Sequence, residues 1–232
     1  MNVTLEPIGI IHSCFKEKFG IPRQAGIVPA ARAELELFPA YSNPAAVRGL
    51  EAFSHIWVIF LFHECARKPW RDTVRPPRLG GNQRVGVFAS RSGFRPNATG
   101  MSAVRLEGVC ISPQSVRLSL SGVDILDQSP VLDIKPYVPY ADLLPEARGG
   151  FASERPPAVL SVLFSDEAEA VCRREEKRLP LLRDLIVQML QIDPRPAYYC
   201  DDPKKERFGT RIYDLEIKWT CRDSSVVVTA IE

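Results

Sequence analysis

Two short segments of this chain carry residue types that can do chemistry. The first is Arg91-Ser92-Gly93-Phe94-Arg95-Pro96-Asn97, directly after the strand-like run Val85–Ala89. Its two guanidinium forks suit carboxylates, phosphates or base edges. Pro96 fixes one φ angle, and Gly100 lets the chain turn where a side chain would clash. The second is Asp133-Ile134-Lys135-Pro136-Tyr137. It offers a carboxylate that can take a proton, an ammonium that can hold an anion and a ring that can stack on a base. Each has a plain structural reading too. The first can be a solvated turn, and the second a strand end with Asp133 capping it.

Further acids and bases stand nearby. Asp124-Ile125-Leu126-Asp127 follows a strand signal, so its carboxylates can meet hydroxyls or an ammonium, or simply make a turn. Arg67, Lys68, Arg71, Arg75, Arg78 and Arg84 crowd a short stretch. Such a patch can hold a phosphate backbone although the net charge is only +2.

Short strands must position these groups. The expected strands are 4–12, 33–37, 56–62, 85–89, 104–111, 115–121 and 130–134. In 115–121, Val116, Leu118 and Leu120 alternate with Arg117 and Ser119, which predicts one wet face. Residues 56–62 are continuously apolar, which predicts burial on both faces. A short helix is expected from Asn43 and Pro44. The pattern predicts a mainly β protein, with a small barrel over 1–140, a linker over 141–157 and a smaller α+β unit over 158–232. In that second unit a strand is expected at 158–164 and a helix capped by Ser165. A second helix follows, with Leu182, Leu185, Ile186, Met189 and Leu190 on one face. A closing hairpin of 211–219 and 226–231 ends it. No glycine-rich strand–turn–helix motif is present, so a Rossmann-type nucleotide site is not supported.

The chain has 232 residues, 45% hydrophobic and 25% charged, an ordinary globular balance. No run approaches the roughly 20 apolar residues that span a bilayer, and no basic-then-apolar leader opens the chain. A cytoplasmic location is expected. The six cysteines form no C-x-x-C pair, which favours reduced structural thiols over a zinc site or disulfides.

Five more motifs stand in order with the arginine loop. They are Lys16-Glu17-Lys18-Phe19 with Ile21-Pro22-Arg23-Gln24; Val47–Trp57; Val74-Arg75-Pro76-Pro77-Arg78-Leu79-Gly80-Gly81-Asn82; Asp133–Tyr137; and Asp193-Pro194-Arg195-Pro196-Ala197-Tyr198. In this order the chain resembles the TsaA/TrmO-like (YaeB-type) family of S-adenosylmethionine-dependent tRNA (adenine-N6)-methyltransferases. The resemblance implies a non-Rossmann β-barrel that binds S-adenosylmethionine and works as a homodimer on tRNA without a metal. The methyl group would go to N6 of N6-threonylcarbamoyladenosine, next to the anticodon. By resemblance Pro22, Arg23, Gln24, His63, Glu64, Arg91 and Asp124–Asp127 (with Ile125 and Leu126) line the cofactor pocket. Asp133 is then the candidate base, Lys135 the anion holder and Tyr137 the stacking ring. Two departures stand out: Ala98-Thr99-Gly100 replaces the family's Pro-Ile-Gly, and Glu64 stands where Gln is expected. Competing readings are a non-catalytic S-adenosylmethionine-binding module and a methyltransferase for another substrate.

Overall fold

A computed structural model describes residues 3–195, 206–222 and 224–232. The N-terminal part carries β1 (Gly9–Ser13), β2 (Arg32–Leu37), β3 (His55–Leu61), the one-turn helix α1 (His63–Ala66), the two-residue strands β4 (Thr73–Val74) and β5 (Val85–Gly86), then β6 (Thr99–Ile111), β7 (Val116–Ser121) and β8 (Pro130–Pro136). Six of these strands close a barrel in the order β1-β2-β7-β6-β3-β8, and β8 pairs back onto β1 through Gly9 and Val131. Closure leaves no free edge. Alternation does the rest: Ile11, Leu35, Val58, Val104, Leu118 and Val131 point inward and are fully buried.

The seven expected strands recur with altered bounds, and two expectations need correction. Residues 56–62 are not buried on both faces. Their burial alternates, because a barrel wall has one inner and one outer side. Residues 85–89 are a strand only at Val85–Gly86, and Val87–Ala89 winds into a 3-10 turn. The short helix expected from Asn43 is present as a 3-10 turn over Pro44–Val47, the Asn43 side chain accepting from Ala45 N–H at 2.9 Å.

After the short α2 (Pro139–Asp142) come β9 (Ser161–Phe164), α3 (Asp166–Glu175), α4 (Leu182–Gln191), β10 (Arg207–Ile212), β11 (Leu215–Arg222) and β12 (Ser225–Ile231). The sheet order is β10-β11-β12-β9, with β9 parallel to β12 and the other pairs antiparallel. Ser165 caps α3 by accepting from Ala168 N–H at 3.2 Å. The apolar stripe of α4 is core: Leu182, Leu185, Ile186, Met189 and Leu190 are all buried. The expected strand 211–219 breaks in two. Tyr213, at φ 54, turns the chain between β10 and β11, so a three-stranded meander replaces the single hairpin.

One apolar core runs through both sheets. Phe15 bridges to Ile212, and Trp219 stacks on Phe208 with ring centroids 4.5 Å apart. Gln188 on α4 accepts from Ala30 N–H at 3.0 Å. Cys14, Cys65 and Cys172 are buried and Cys110 is exposed, all as free thiols, and Cys221 is buried. Burial pushes the Cys14 thiol up to about 12, so it stays protonated. Cys200, Pro196, Ala197 and Tyr198 lie outside the described residues.

Candidate functional site

A cavity of about 680 Å³ opens at one end of the barrel, within the usual range for a small-molecule site. Five chain segments meet there: 18–24, the end of β3 with α1, the loop 90–95, the start of β6, and 124–129.

Its apolar wall depends on two glycines. A Cβ on Gly100 would lie 2.3 Å from Phe60 Cζ, and one on Gly93 would lie 2.8 Å from Phe62 Cγ. Their bareness lets Phe60 and Phe62 meet edge to face, with centroids 5.0 Å apart. The loop 90–95 is braced from within. Arg95 donates to Ser90 O at 3.0 Å, and Ser90 N–H donates to Val87 O at 3.1 Å.

The polar side centres on Asp124. Burial pushes its carboxyl up to about 6, opposed by the hydrogen bond from Ser102 Oγ at 2.6 Å and by the nearby charge of Arg91. Arg91 donates to Gln24 Oε1. Arg23 is the next cation, its guanidinium pKa held down by burial, against which Asp193 pulls upward. Across the mouth, Lys18 Nζ meets Glu64 Oε2 at 2.7 Å. The hydrogen bond from Lys18 is the leading cause that holds the Glu64 carboxyl below its ordinary value. Ser129 Oγ approaches His63 Nδ1 at 3.3 Å.

Pro22, Arg23, Gln24, His63, Glu64, Arg91, Asp124 and Leu126 therefore stand around one space. Ile125 and Asp127 do not. Within 124–127, which leads into a turn at Asp127–Gln128, only Asp124 and Leu126 line the cavity. Ile125 is fully buried in the core. Asp127 accepts from Ser13 N–H at 2.8 Å and pairs with Lys16 at 2.8 Å.

Asp133, Lys135 and Tyr137 also lie off the cavity lining, on the outer barrel surface. Asp133 pairs with Lys135 at 2.8 Å, and the Tyr137 ring tilts on Trp57 at 5.6 Å. The ladder still ties them to the cavity. Met101, Ile59 and Asp133 are register partners across β6, β3 and β8, so their side chains share one face. Met101 and Ile59 line the cavity, so Asp133 is one cross-strand step from its mouth.

The sequence reading passed over Phe60, Phe62, Met101, Ser102 and Ser129, all of which line the cavity. Ser102 left a usable trace: it is a polar residue on the inward face of β6, between Gly100 and Val104. Among the described residues no three His, Cys, Asp or Glu converge as a metal site. No described helix is long and apolar enough to cross a membrane.

The chain matches two family models, the tRNA-methyltransferase O N-terminal domain over residues 10–143 and the TrmO C-terminal domain over 157–232. It is 47% identical to a tRNA (adenine(37)-N6)-methyltransferase of Escherichia coli, over 98% of this chain and 97% of that one. It is 49% identical to a putative S-adenosylmethionine-dependent methyltransferase, RcsF, of Pseudomonas aeruginosa, over 94% and 93% of the two chains. The crystal structure of TrmO from Pseudomonas aeruginosa superposes with a TM-score of 0.83 at 41% identity, covering 100% of this chain and 99% of that one. The overall fold is thus shared with that structure, and this chain belongs to the tRNA-methyltransferase O family.

Proposed function

We propose that this protein is a tRNA (adenine-N6)-methyltransferase that takes its methyl group from S-adenosylmethionine. The observation that carries the reading is the cavity itself. It sets a half-buried carboxyl, Asp124, and a guanidinium, Arg91, against an aromatic wall of Phe60 and Phe62. That donor set fits a ligand with an ammonium, a carboxylate and an apolar ring system. The cofactor supplies a methyl group already activated on a sulfonium.

The protein's part is then to position donor and acceptor. Arg91, oriented by Gln24, suits the carboxylate of the cofactor's amino-acid end. Asp124, oriented by Ser102, suits a cationic group. Phe60 and Phe62 exclude water from one side. The acceptor base would approach along the outer-face row of Met101 and Ile59 and so reach Asp133. We assign Asp133 as the base that takes the N6 proton, Lys135 as the holder of an acceptor anion and Tyr137 as a stacking ring. The acceptor is N6-threonylcarbamoyladenosine beside the anticodon. Its urea-like nitrogen is a weaker nucleophile than an amine but a better acid, so a carboxylate base suits it.

We further propose a cofactor-binding barrel over 1–140, a linker over 141–157 and an accessory unit over 158–232. The reading includes a homodimer in the cytoplasm. The exposed apolar side chains of Met101, Tyr140, Leu143 and Leu144 favour a self-contact, and buried free thiols suit a reducing compartment. Mass spectrometry of tRNA nucleosides from a strain lacking the protein tests the function. Loss of the N6-methylated threonylcarbamoyladenosine is the expected result. An unchanged nucleoside profile would refute the reading.

A further inference from the structure

A second cavity of about 960 Å³ lies beside the first and shares Arg23, Gln24, Ser90 and Arg91 with it. One of its walls is residues 149–156, part of the stretch that reads in sequence as a linker. This segment is tied down. Arg155 donates to Ile27 O at 3.0 Å and to Gly26 O at 3.4 Å, and Arg78 donates to Glu154 O.

Those acceptors are neutral carbonyls rather than carboxylates. Arg71, Arg75, Arg78, Arg84, Arg91 and Arg155 all border this groove or the adjoining one. Among the described residues none of the six is in ion-pair contact with a carboxylate. On α3 and its flank, by contrast, Arg173, Arg174, Arg178 and Arg183 each hold a glutamate.

Within this field stands an exposed aromatic ring. Phe88 is 72% exposed. Its backbone is nonetheless rigid: it rides a 3-10 turn whose neighbour Val87 is buried, and Ser90 Oγ and N–H both bond Val87 O. The Arg95 guanidinium lies 5.9 Å from the ring centroid. Phe151, on the opposite wall, is 38% exposed.

An exposed ring among guanidiniums that form no ion pair is the composition that holds unpaired nucleotides, by stacking and backbone charge together. A duplex offers no free base face, and an acidic protein needs no flat platform. We propose that this groove seats the single-stranded loop of the RNA substrate. Phe88 is the platform for one unpaired base, and residues 149–156 form the far wall. The proposal rests on the tRNA reading above and adds where the loop lies.

The test uses the full-length protein and two RNA probes, an unmodified anticodon stem-loop and a blunt, fully paired duplex of equal nucleotide count. Phe88→Ala should weaken stem-loop binding roughly ten- to a hundredfold. Duplex binding, S-adenosylmethionine affinity and melting temperature should stay at parent values. Phe88→Tyr should restore the loop affinity. Parent-like stem-loop binding by Phe88→Ala overturns the proposal, as does an equal loss for both RNAs. So does competition by polyglutamate that depends equally on Phe88. If the parent methylates tRNA while Phe88→Ala binds the loop normally, the groove assignment alone fails. If the parent neither binds RNA nor methylates tRNA, both readings fail.

Discussion

Ser102 Oγ donates to Asp124 Oδ1 at 2.6 Å, and this contact joins the wall of the barrel to the base of the cavity. Ser102 is held by the β6 ladder opposite Val58. The residue after Asp124, Ile125, is locked in the core. The carboxyl is therefore placed by backbone geometry before any ligand arrives, which lowers the cost of ordering on binding.

The Asp124 carboxyl titrates at about 6, above its ordinary 3.8. The folded state thus holds this proton more tightly than the unfolded chain. Its stabilising contribution is fully present below about pH 4 and is lost as pH rises through about 6. Asp124→Asn stays neutral, so above pH 6 it should be more stable than the parent by on the order of 1–2 kcal/mol, after allowance for water in the cavity mouth. The gap should close towards pH 4. Thermal unfolding from pH 4 to 8 measures it, and a pH-independent difference would mean that the carboxyl is well solvated. Cofactor affinity should move the other way, rising as Asp124 ionises. In Asp124→Asn that rise should disappear.

Arg91 carries the complementary charge. Arg91→Ala removes a charged donor from the assigned carboxylate contact. A lost charge-assisted bond of about 1.5–3 kcal/mol means roughly ten- to a hundredfold in dissociation constant. Gln24→Ala removes the orienting contact and should cost less. Calorimetry with S-adenosylmethionine separates the two. A parent-like constant for folded Arg91→Ala takes Arg91 out of cofactor binding.

The arginine patch predicts a salt signature. Arg71, Arg75 and Arg84 border one hollow of about 610 Å³, and Arg78 lies in the neighbouring groove. Neutralising any one that contacts phosphate should flatten the plot of log affinity for tRNA against log salt by roughly one unit. Arg173→Gln is the control, since that side chain is engaged with Glu169 at 3.1 Å. Parent slopes for all four variants would place the RNA on another face.

Much of this was legible in the residues, and the gaps have a common cause. Alternation in 115–121, the Ser165 cap and the α4 stripe are local signals, and each marks a real element. Closure of the barrel is non-local. Nothing near residue 9 indicates that Gly9 must meet Val131, or that the missing side chain of Gly100 makes room for Phe60. The Tyr213 turn carries no glycine to announce it. Residues 149–156 look like a tether in sequence because their ordering comes from Arg155 and Arg78 reaching distant carbonyls and backbone. Among the site residues, the motif runs point to one cavity, but a run cannot show which alternate side chain enters it. That is why Ile125 and Asp127 were grouped with Asp124 and Leu126.

Asp133 decides how the acceptor is activated. It is 2.8 Å from Lys135 Nζ and also accepts from Ile134 N–H at 2.9 Å. It sits one cross-strand step from the cavity wall at Ile59. Asp133→Asn keeps the shape and one acceptor oxygen but cannot take a proton. If Asp133 is the base, single-turnover methylation of tRNA carrying threonylcarbamoyladenosine should slow by roughly 10²–10⁴ with both ligands saturating. Affinities for cofactor and tRNA should stay near parent values. Lys135→Met should instead weaken acceptor binding, because it removes the cation and frees Asp133 from its partner. Tyr137→Phe keeps the face against Trp57 and should be mild, whereas Tyr137→Ala should lose tRNA affinity as well as rate. Parent-like rates for Asp133→Asn would make this carboxylate a structural partner of Lys135. The half-buried Asp124, whose carboxyl is pushed up by desolvation, would then be the first acid of the cavity to test as the base.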